Sequence, residues 1–207
     1  MDTEAYHDLI AQHCAQCATK RHFQKGTILV ACGDQSDTVY FVLEGELKVC
    51  IASEDGKELI LNIIGAGESF GELAVFTGEP RSADIITRTA CKLLVIKKED
   101  YLAALHANPD LTIAALEYQA RLVQKLTHQV SSLGLVDVFG RIIKLLQDRG
   151  FENDSGTIEG LTHQDIASIV GASREMVSKI VGDLKKGGYI DVSRRKITLL
   201  KPLPKGW

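Results

Sequence analysis

Between Phe70 and Ile86 the chain reads FGELAVFTGEPRSADII, which sets Gly71-Glu72 a short loop ahead of Arg81-Ser82-Ala83. Glycine lets backbone N–H groups come close to an anion, and the planar fork of Arg81 can meet two phosphate oxygens at once. Glu72 is then a natural acceptor for a sugar hydroxyl. The spacing suits one small anionic sugar phosphate. No His, Cys or second carboxylate stands beside Glu72 to make an acid/base pair or a nucleophile, so the pattern is one for holding a ligand and not for converting it. The plainer reading is a turn-rich strand connection in which Arg81 pairs with Glu72 or Glu79 on the surface.

A second constellation lies near the C-terminus. Thr162 with Asp165 has the spacing of a capping box, Gly171 permits a sharp turn, and Ser173 can cap a following helix. Ala167, Gly171, Val177 and Ile180 have the offsets of a helix-turn-helix: a small residue where two helices approach, a glycine at the turn, and apolar residues under the second helix. The start of that second helix would face the major groove of DNA, making Ser173, Arg174, Glu175, Ser178 and Lys179 candidates for base contact. Arginine suits guanine O6 and N7, whereas glutamate accepts from the cytosine amino group. Thr162, His163, Lys185 and Lys186 suit phosphates, with simple solvation the alternative for the two lysines. Leu184, Ile190, Val192, Ile197 and Leu199 suggest a hairpin whose tip, Ser193-Arg194-Arg195-Lys196, is a basic wing.

Short β-rich runs must carry the first constellation. From Gly26 to Ile96 such runs alternate with turn pairs, which predicts an antiparallel barrel or roll, with strands at Val39–Leu43, Leu47–Ala52 and Leu59–Ile64. The pattern then turns helical from Pro109 to Leu133, where Leu116, Gln119, Val123, Leu126, Val130 and Leu133 recur at steps of three and four. Such a seam fits a partner helix, or a single amphipathic helix packed on its own domain. Gly134 is expected to end that helix or to begin a hinge, and Asp137 to open another helix that Gly150 stops.

The 207 residues carry a net charge of −3, unevenly spread. From Leu161 to Trp207 there are nine Lys and Arg against four Asp and Glu, a balance of +5, so the rest of the chain carries −8. An acidic first part joined to a basic last part points to two domains, one facing a polyanion. No apolar run reaches membrane-spanning length and MDTEAYHDLI lacks the features of an export signal, so a cytoplasmic protein is expected. Five cysteines at irregular spacing argue against a disulfide framework. Cys14 and Cys17, with His13 and His22 nearby, could supply part of a metal or redox site, but a C-x2-C pair is only half of one; reduced, idle thiols are the alternative.

Together the cassette, Asn108-Pro109-Asp110, Leu135 to Arg141 and IASIVGASREMVSKI resemble the CRP/FNR family along nearly the whole chain. The resemblance implies an α+β fold: an N-terminal antiparallel, jelly-roll-like β-roll for a cyclic nucleotide at 1–108, a dimerisation helix and hinge at 109–134, and a winged helix-turn-helix at 135–207. It implies a nucleotide site of Leu61, Gly71, Glu72, Leu73, Arg81, Ser82 and Ala83, joined by Leu126 and Thr127 of the long helix. It also implies cyclic AMP as effector, a homodimer on a two-fold operator with TGTGA-like half-sites, and contact with RNA polymerase. Lys179 stands where the family's cyclic AMP-responsive members carry arginine, which implies relaxed discrimination at one base of the half-site; Leu126 stands where they carry a hydroxyl, so cyclic di-GMP, another nucleotide or no ligand stay open as effector. The family's iron–sulfur members have a cysteine spacing that this chain does not reproduce. An enzyme is not implied.

Overall fold

The computed structural model describes residues 3–14, 16–151, 156–193 and 196–204. They form two compact units, Met1–Ser53 with Ile60–Leu126, and Glu54–Leu59 with Thr127–Trp207. Among the described residues no helix is long and apolar enough to cross a membrane.

In the first unit, helix α1 (Thr3–Cys14) is followed by β1 (Thr19–Phe23), β2 (Ile28–Val30), β3 (Thr38–Glu44), β4 (Leu47–Ala52), β5 (Glu58–Ile64) and β6 (Ser69–Phe70). After these come the short helix α2 (Glu72–Thr77), β7 (Asp84–Thr87), β8 (Cys91–Lys97), α3 (Lys98–Ala107) and the long α4 (Pro109–Leu135); the first two residues of β5, and α4 from Thr127 on, fall in the second unit. The strands make two four-stranded sheets, β1-β8-β3-β6 and β2-β7-β4-β5, so the expected antiparallel roll is present. Side chains alternate along each strand: β5 buries Ile60, Asn62 and Ile64 and leaves Leu61 half-buried between them. Helix α1 carried no clear sequence signal, yet Tyr6, Ile10 and Cys14 recur every four residues and are fully buried with Phe41, Ile96 and Tyr101. On α4, Leu111, Ala114, Ala115 and Tyr118 join that same core.

Gly134 does not end α4, which continues to Leu135. One interior glycine costs a helix only about 1 kcal/mol relative to alanine, too little to stop 27 helical residues. The chain turns instead where Asp137 accepts a hydrogen bond from the Gly140 N–H, at 2.7 Å, and opens the next helix.

The second unit contains α5 (Val138–Phe151), β9 (Thr157–Glu159), α6 (His163–Val170), α7 (Arg174–Lys186), β10 (Ile190–Ser193) and β11 (Lys196–Leu199). Its sheet has the order β10-β11-β9. The strand β9 was not anticipated: three residues are too few for a visible alternation, and Ile158 is fixed by pairing with Ile197. Gly150 lies inside α5 and does not stop it; a Cβ there would meet Leu199 Cδ1 at 2.5 Å, so the glycine serves a close approach. Leu184 belongs to α7, where it is buried, and not to the hairpin. The core gathers Ile142, Leu146, Ile166, Ala167, Val177, Ile180, Leu184, Ile190 and Ile197. The wing tip at Arg194 and Arg195 and the loop residues 152–155 lie outside the described residues.

Candidate functional site

Gly71 precedes α2 with φ of +93°, in the left-handed region. A Cβ there would lie 2.4 Å from Nη1 of Arg81 and 2.8 Å from the Thr38 carbonyl oxygen, so the missing side chain is the space the guanidinium occupies. Backbone bonds pin Arg81 in place: its N–H donates to Asp34 O (2.9 Å) and its carbonyl accepts from Gly33 N–H (2.8 Å). The guanidinium turns inward. Nη1 donates to Gly71 O at 2.7 Å, and Nη2 donates to Ser36 Oγ and Thr38 O, both at 2.6 Å. Arg81 is only 4% exposed, which removes the surface ion-pair reading; Glu79 is exposed.

Glu72, the first residue of α2, is equally buried at 4% exposure. Its Oε1 accepts from Gln119 Nε2 on α4 at 2.7 Å. Its Oε2 is buried without a partner, as is Nε of Arg81. Burial pushes the Glu72 carboxyl above its ordinary range, against the opposing pull of the Gln119 bond, its own backbone N–H and the Arg81 charge. Burial likewise lowers Arg81, partly offset by Tyr40, Glu72 and Asp37; a guanidinium stays charged throughout. One orphaned cationic donor and one orphaned carboxylate acceptor are therefore held in a single cassette, and buried groups of this kind call for partners. A ligand that joins an anion to a hydroxyl supplies both.

The other expected ligand residues are spread. Ala83 is buried, Ser82 exposed, and Leu73 faces outward at 55% exposure. Leu126 is half-buried and Thr127 exposed on α4. Several groups around the cassette were missed. Ser36 and Thr38 hold Arg81 from more than forty positions away, with no local signal. The Tyr118 hydroxyl donates to the Ser69 carbonyl at 3.0 Å, and Tyr6 meets the Tyr101 hydroxyl at 3.0 Å and Ser69 Oγ at 3.4 Å. Burial pushes the Tyr6 phenol up to about 12. Lys125 Nζ donates to the buried Asn62 Oδ1 at 2.6 Å. Gln119 did leave a trace, as the one polar residue among the seam positions.

In the second unit the capping box is formed: Thr162 Oγ1 accepts from the Asp165 N–H at 3.1 Å while Asp165 Oδ2 accepts from the Thr162 N–H at 2.8 Å. Gly171 takes the turn at φ +63°. Ser173 Oγ accepts from the Met176 N–H at 3.2 Å and starts α7. Val177 and Ile180 point into the core, whereas Ser173, Arg174, Glu175, Ser178 and Lys179 are exposed together, as the helical period requires. The Glu175 carboxyl is held below its ordinary range by its own backbone N–H and the Ser173 hydroxyl, with a smaller contribution from Arg174. His163 Nδ1 bonds Ser178 Oγ at 2.9 Å, so those two residues brace α6 against α7. Lys185 donates to the Val192 carbonyl at 3.0 Å and so supports the wing strand; Lys186 is exposed, 3.9 Å from Asp183. Met176, exposed within the same face, was missed because an apolar residue there reads as core. Arg141 donates to the Val170 carbonyl at 2.7 Å and the Val136 carbonyl at 2.6 Å, tying the start of α5 to the end of α6.

Cys14 is a buried thiol pushed up to about 11, chiefly by burial. The Cys17 thiol donates to the Cys14 carbonyl at 3.2 Å. Among the described residues no group of three or more His, Cys, Asp or Glu could hold a metal.

An antiparallel roll with a buried cassette, followed by a winged helix-turn-helix, is the architecture of a DNA-binding regulator. Residues 20–108 match the cyclic nucleotide-binding domain, and residues 140–203 the Crp-like helix-turn-helix domain. The chain is 32% identical to the cAMP-activated global transcriptional regulator CRP of Haemophilus influenzae, covering 88% of this chain and 84% of that protein. It is 29% identical to the cAMP-activated global transcriptional regulator Vfr of Pseudomonas aeruginosa, covering 89% and 90%. Among solved structures, the c-di-GMP responsive global regulator CLP of Xanthomonas campestris matches with TM-score 0.82 at 24% identity, covering 97% of this chain and all of that one. A CRP/FNR-family transcriptional regulator of Thermus thermophilus matches with TM-score 0.75 at 25% identity, over 88% of this chain and 94% of that one. This chain belongs to the CRP/FNR family of DNA-binding transcription regulators.

Proposed function

We propose that this regulator binds cyclic AMP in its first unit and, as a homodimer, couples that binding to recognition of a two-fold DNA operator. The observation that carries the reading is the pair of buried orphans, Arg81 Nε and Glu72 Oε2. A cyclic phosphodiester fills the first and the ribose hydroxyl the second. The phosphate also competes with the neutral carbonyls that now hold the guanidinium, and a charge-assisted bond to an anion is roughly twice as strong as a neutral one. Leu61 would line the base or sugar, and Thr127 of the partner would reach the adenine across the seam. The names of the cAMP-activated relatives support cyclic AMP, and the c-di-GMP responsive neighbour makes that dinucleotide the competitor to test.

Leu116, Val123 and Val130 leave an exposed apolar line along α4, suited to a second copy. Nucleotide bound at the cassette would tie the roll to this helix and alter how the two α7 helices meet successive major grooves, about 34–36 Å apart. Arg174, Glu175 and Lys179 would read a TGTGA-like half-site, while Thr162 and Lys186 would meet phosphates; RNA polymerase would be the downstream partner, in the cytoplasm. The test is calorimetry of the full chain against cyclic AMP, cyclic GMP and cyclic di-GMP, followed by anisotropy with a palindromic duplex carrying TGTGA half-sites. We expect cyclic AMP to bind and to tighten duplex binding, with DNA tightening nucleotide binding by the same factor. A duplex affinity unchanged by any nucleotide refutes the coupling.

A further inference from the structure

Helix α4 grips the cassette through two consecutive residues. The Tyr118 hydroxyl holds the Ser69 carbonyl two residues before Gly71, and Gln119 holds Glu72 just after it. Gln119 is half-buried and is the polar member of an otherwise apolar seam. A glutamine in such a line ordinarily serves a helix partner; here its amide is turned into its own chain, 2.7 Å from Glu72 Oε1. That bond decides which carboxylate oxygen is left over. The last torsion of a glutamate is broad and roughly two-fold, so without the Gln119 amide the carboxylate keeps its own backbone N–H and the Arg81 charge, and no side-chain donor, to orient it.

We infer that Gln119 is a positioning residue, which reserves Glu72 Oε2 for the ligand and thereby sets the preference for a ribose over a deoxyribose. The inference rests on the nucleotide reading proposed above. Ligand hydroxyl, Glu72 and Gln119 then form one line of hydrogen bonds that ends on α4, so the presence of the hydroxyl is registered on the helix at residue 119.

Calorimetry on the full chain with cyclic AMP and 2′-deoxy cyclic AMP tests this. The unsubstituted protein should favour the ribonucleotide. Gln119→Leu should weaken the ribonucleotide by about tenfold or more, the scale of a hydrogen bond to a charged group, and the deoxy analogue by much less. Adding Gln119→Leu to Glu72→Gln should then cost little further, because Gln119 acts on the ligand only through the Glu72 carboxylate. Equal losses for both ligands, or an unchanged ratio between them, overturn the inference and leave the nucleotide reading standing. Failure of the unsubstituted protein to bind either ligand overturns both. If circular dichroism shows that Gln119→Leu does not fold, Gln119→Met, which keeps the length of the side chain, carries the same comparison.

Discussion

Glu72→Gln removes a charge from a buried place without changing its shape, and its consequences can be worked from the geometry. The Gln119 amide can still donate to the remaining carbonyl oxygen, so the change falls on Oε2. In the folded wild type, burial raises the Glu72 carboxyl above the range it has in the unfolded chain. The folded state therefore holds its proton to higher pH than the unfolded state does. At pH below the ordinary carboxylate range the group is neutral in both states and its contribution is fully present; as pH rises toward the raised value that contribution is lost. One proton sets the slope, about 1.4 kcal/mol of stability per pH unit at most between the two values. Glu72→Gln should lack this component, so that its advantage over wild type grows with pH through the window. Ligand binding should show the opposite trend, because the ribose hydroxyl needs the ionised acceptor: wild-type nucleotide affinity should rise with pH where stability falls. Urea-dependent hydrogen exchange on β3 and β8 reads the first unit alone, and calorimetry in two buffers of different ionisation enthalpy counts the proton released on binding. Parallel stability profiles for wild type and variant, with no proton released, would refute the reasoning.

Other substitutions probe the remaining parts. Gly71→Ala would force a left-handed alanine, about 1–2 kcal/mol from the backbone alone, and press its Cβ on Arg81 and the Thr38 carbonyl; melting should show a destabilised first unit and calorimetry no nucleotide binding. Ser173→Ala removes the acceptor at the start of α7 and should lower the stability of the second unit by about 1 kcal/mol, with weaker duplex binding by anisotropy. Glu175→Ala should relax base preference at one half-site position, at about 1–3 kcal/mol of discrimination. Lys186→Ala should weaken all sequences alike and reduce the salt slope by about 1; selection from a random DNA pool and a salt titration separate these two. Val123→Glu, on the exposed line of α4, should shift sedimentation from dimer toward monomer.

The helix-turn-helix was legible because each of its requirements is local. A capping oxygen must precede its helix by a fixed number of residues, the turn needs a residue that accepts positive φ, and Val177 and Ile180 must share a face. That Gly71, Glu72 and Arg81 share one cassette was legible for a similar reason, since a glycine and a planar cation a short loop apart can occupy the same space. Strands β3, β4 and β5 announced themselves by composition between turn pairs. By contrast Gly134 and Gly150 misled: both lie within a helix and lack the positive φ that Gly171 takes where α6 ends. Helix α1 and strand β9 are stabilised by distant contacts and not by propensity, which left little to read.

What sequence alone determined, then, is the kind of molecule: an antiparallel roll, a long helix and a helix-turn-helix head, each encoded in short-range spacing. Tertiary structure decided how the cassette is held. Arg81 finds its acceptors at Ser36 and Thr38, and Glu72 finds Gln119, partners 43 to 47 positions removed. No periodicity reports such pairs, because hydrogen-bond geometry across a fold depends on where the strands and α4 come to lie and not on the order of residues within any one of them.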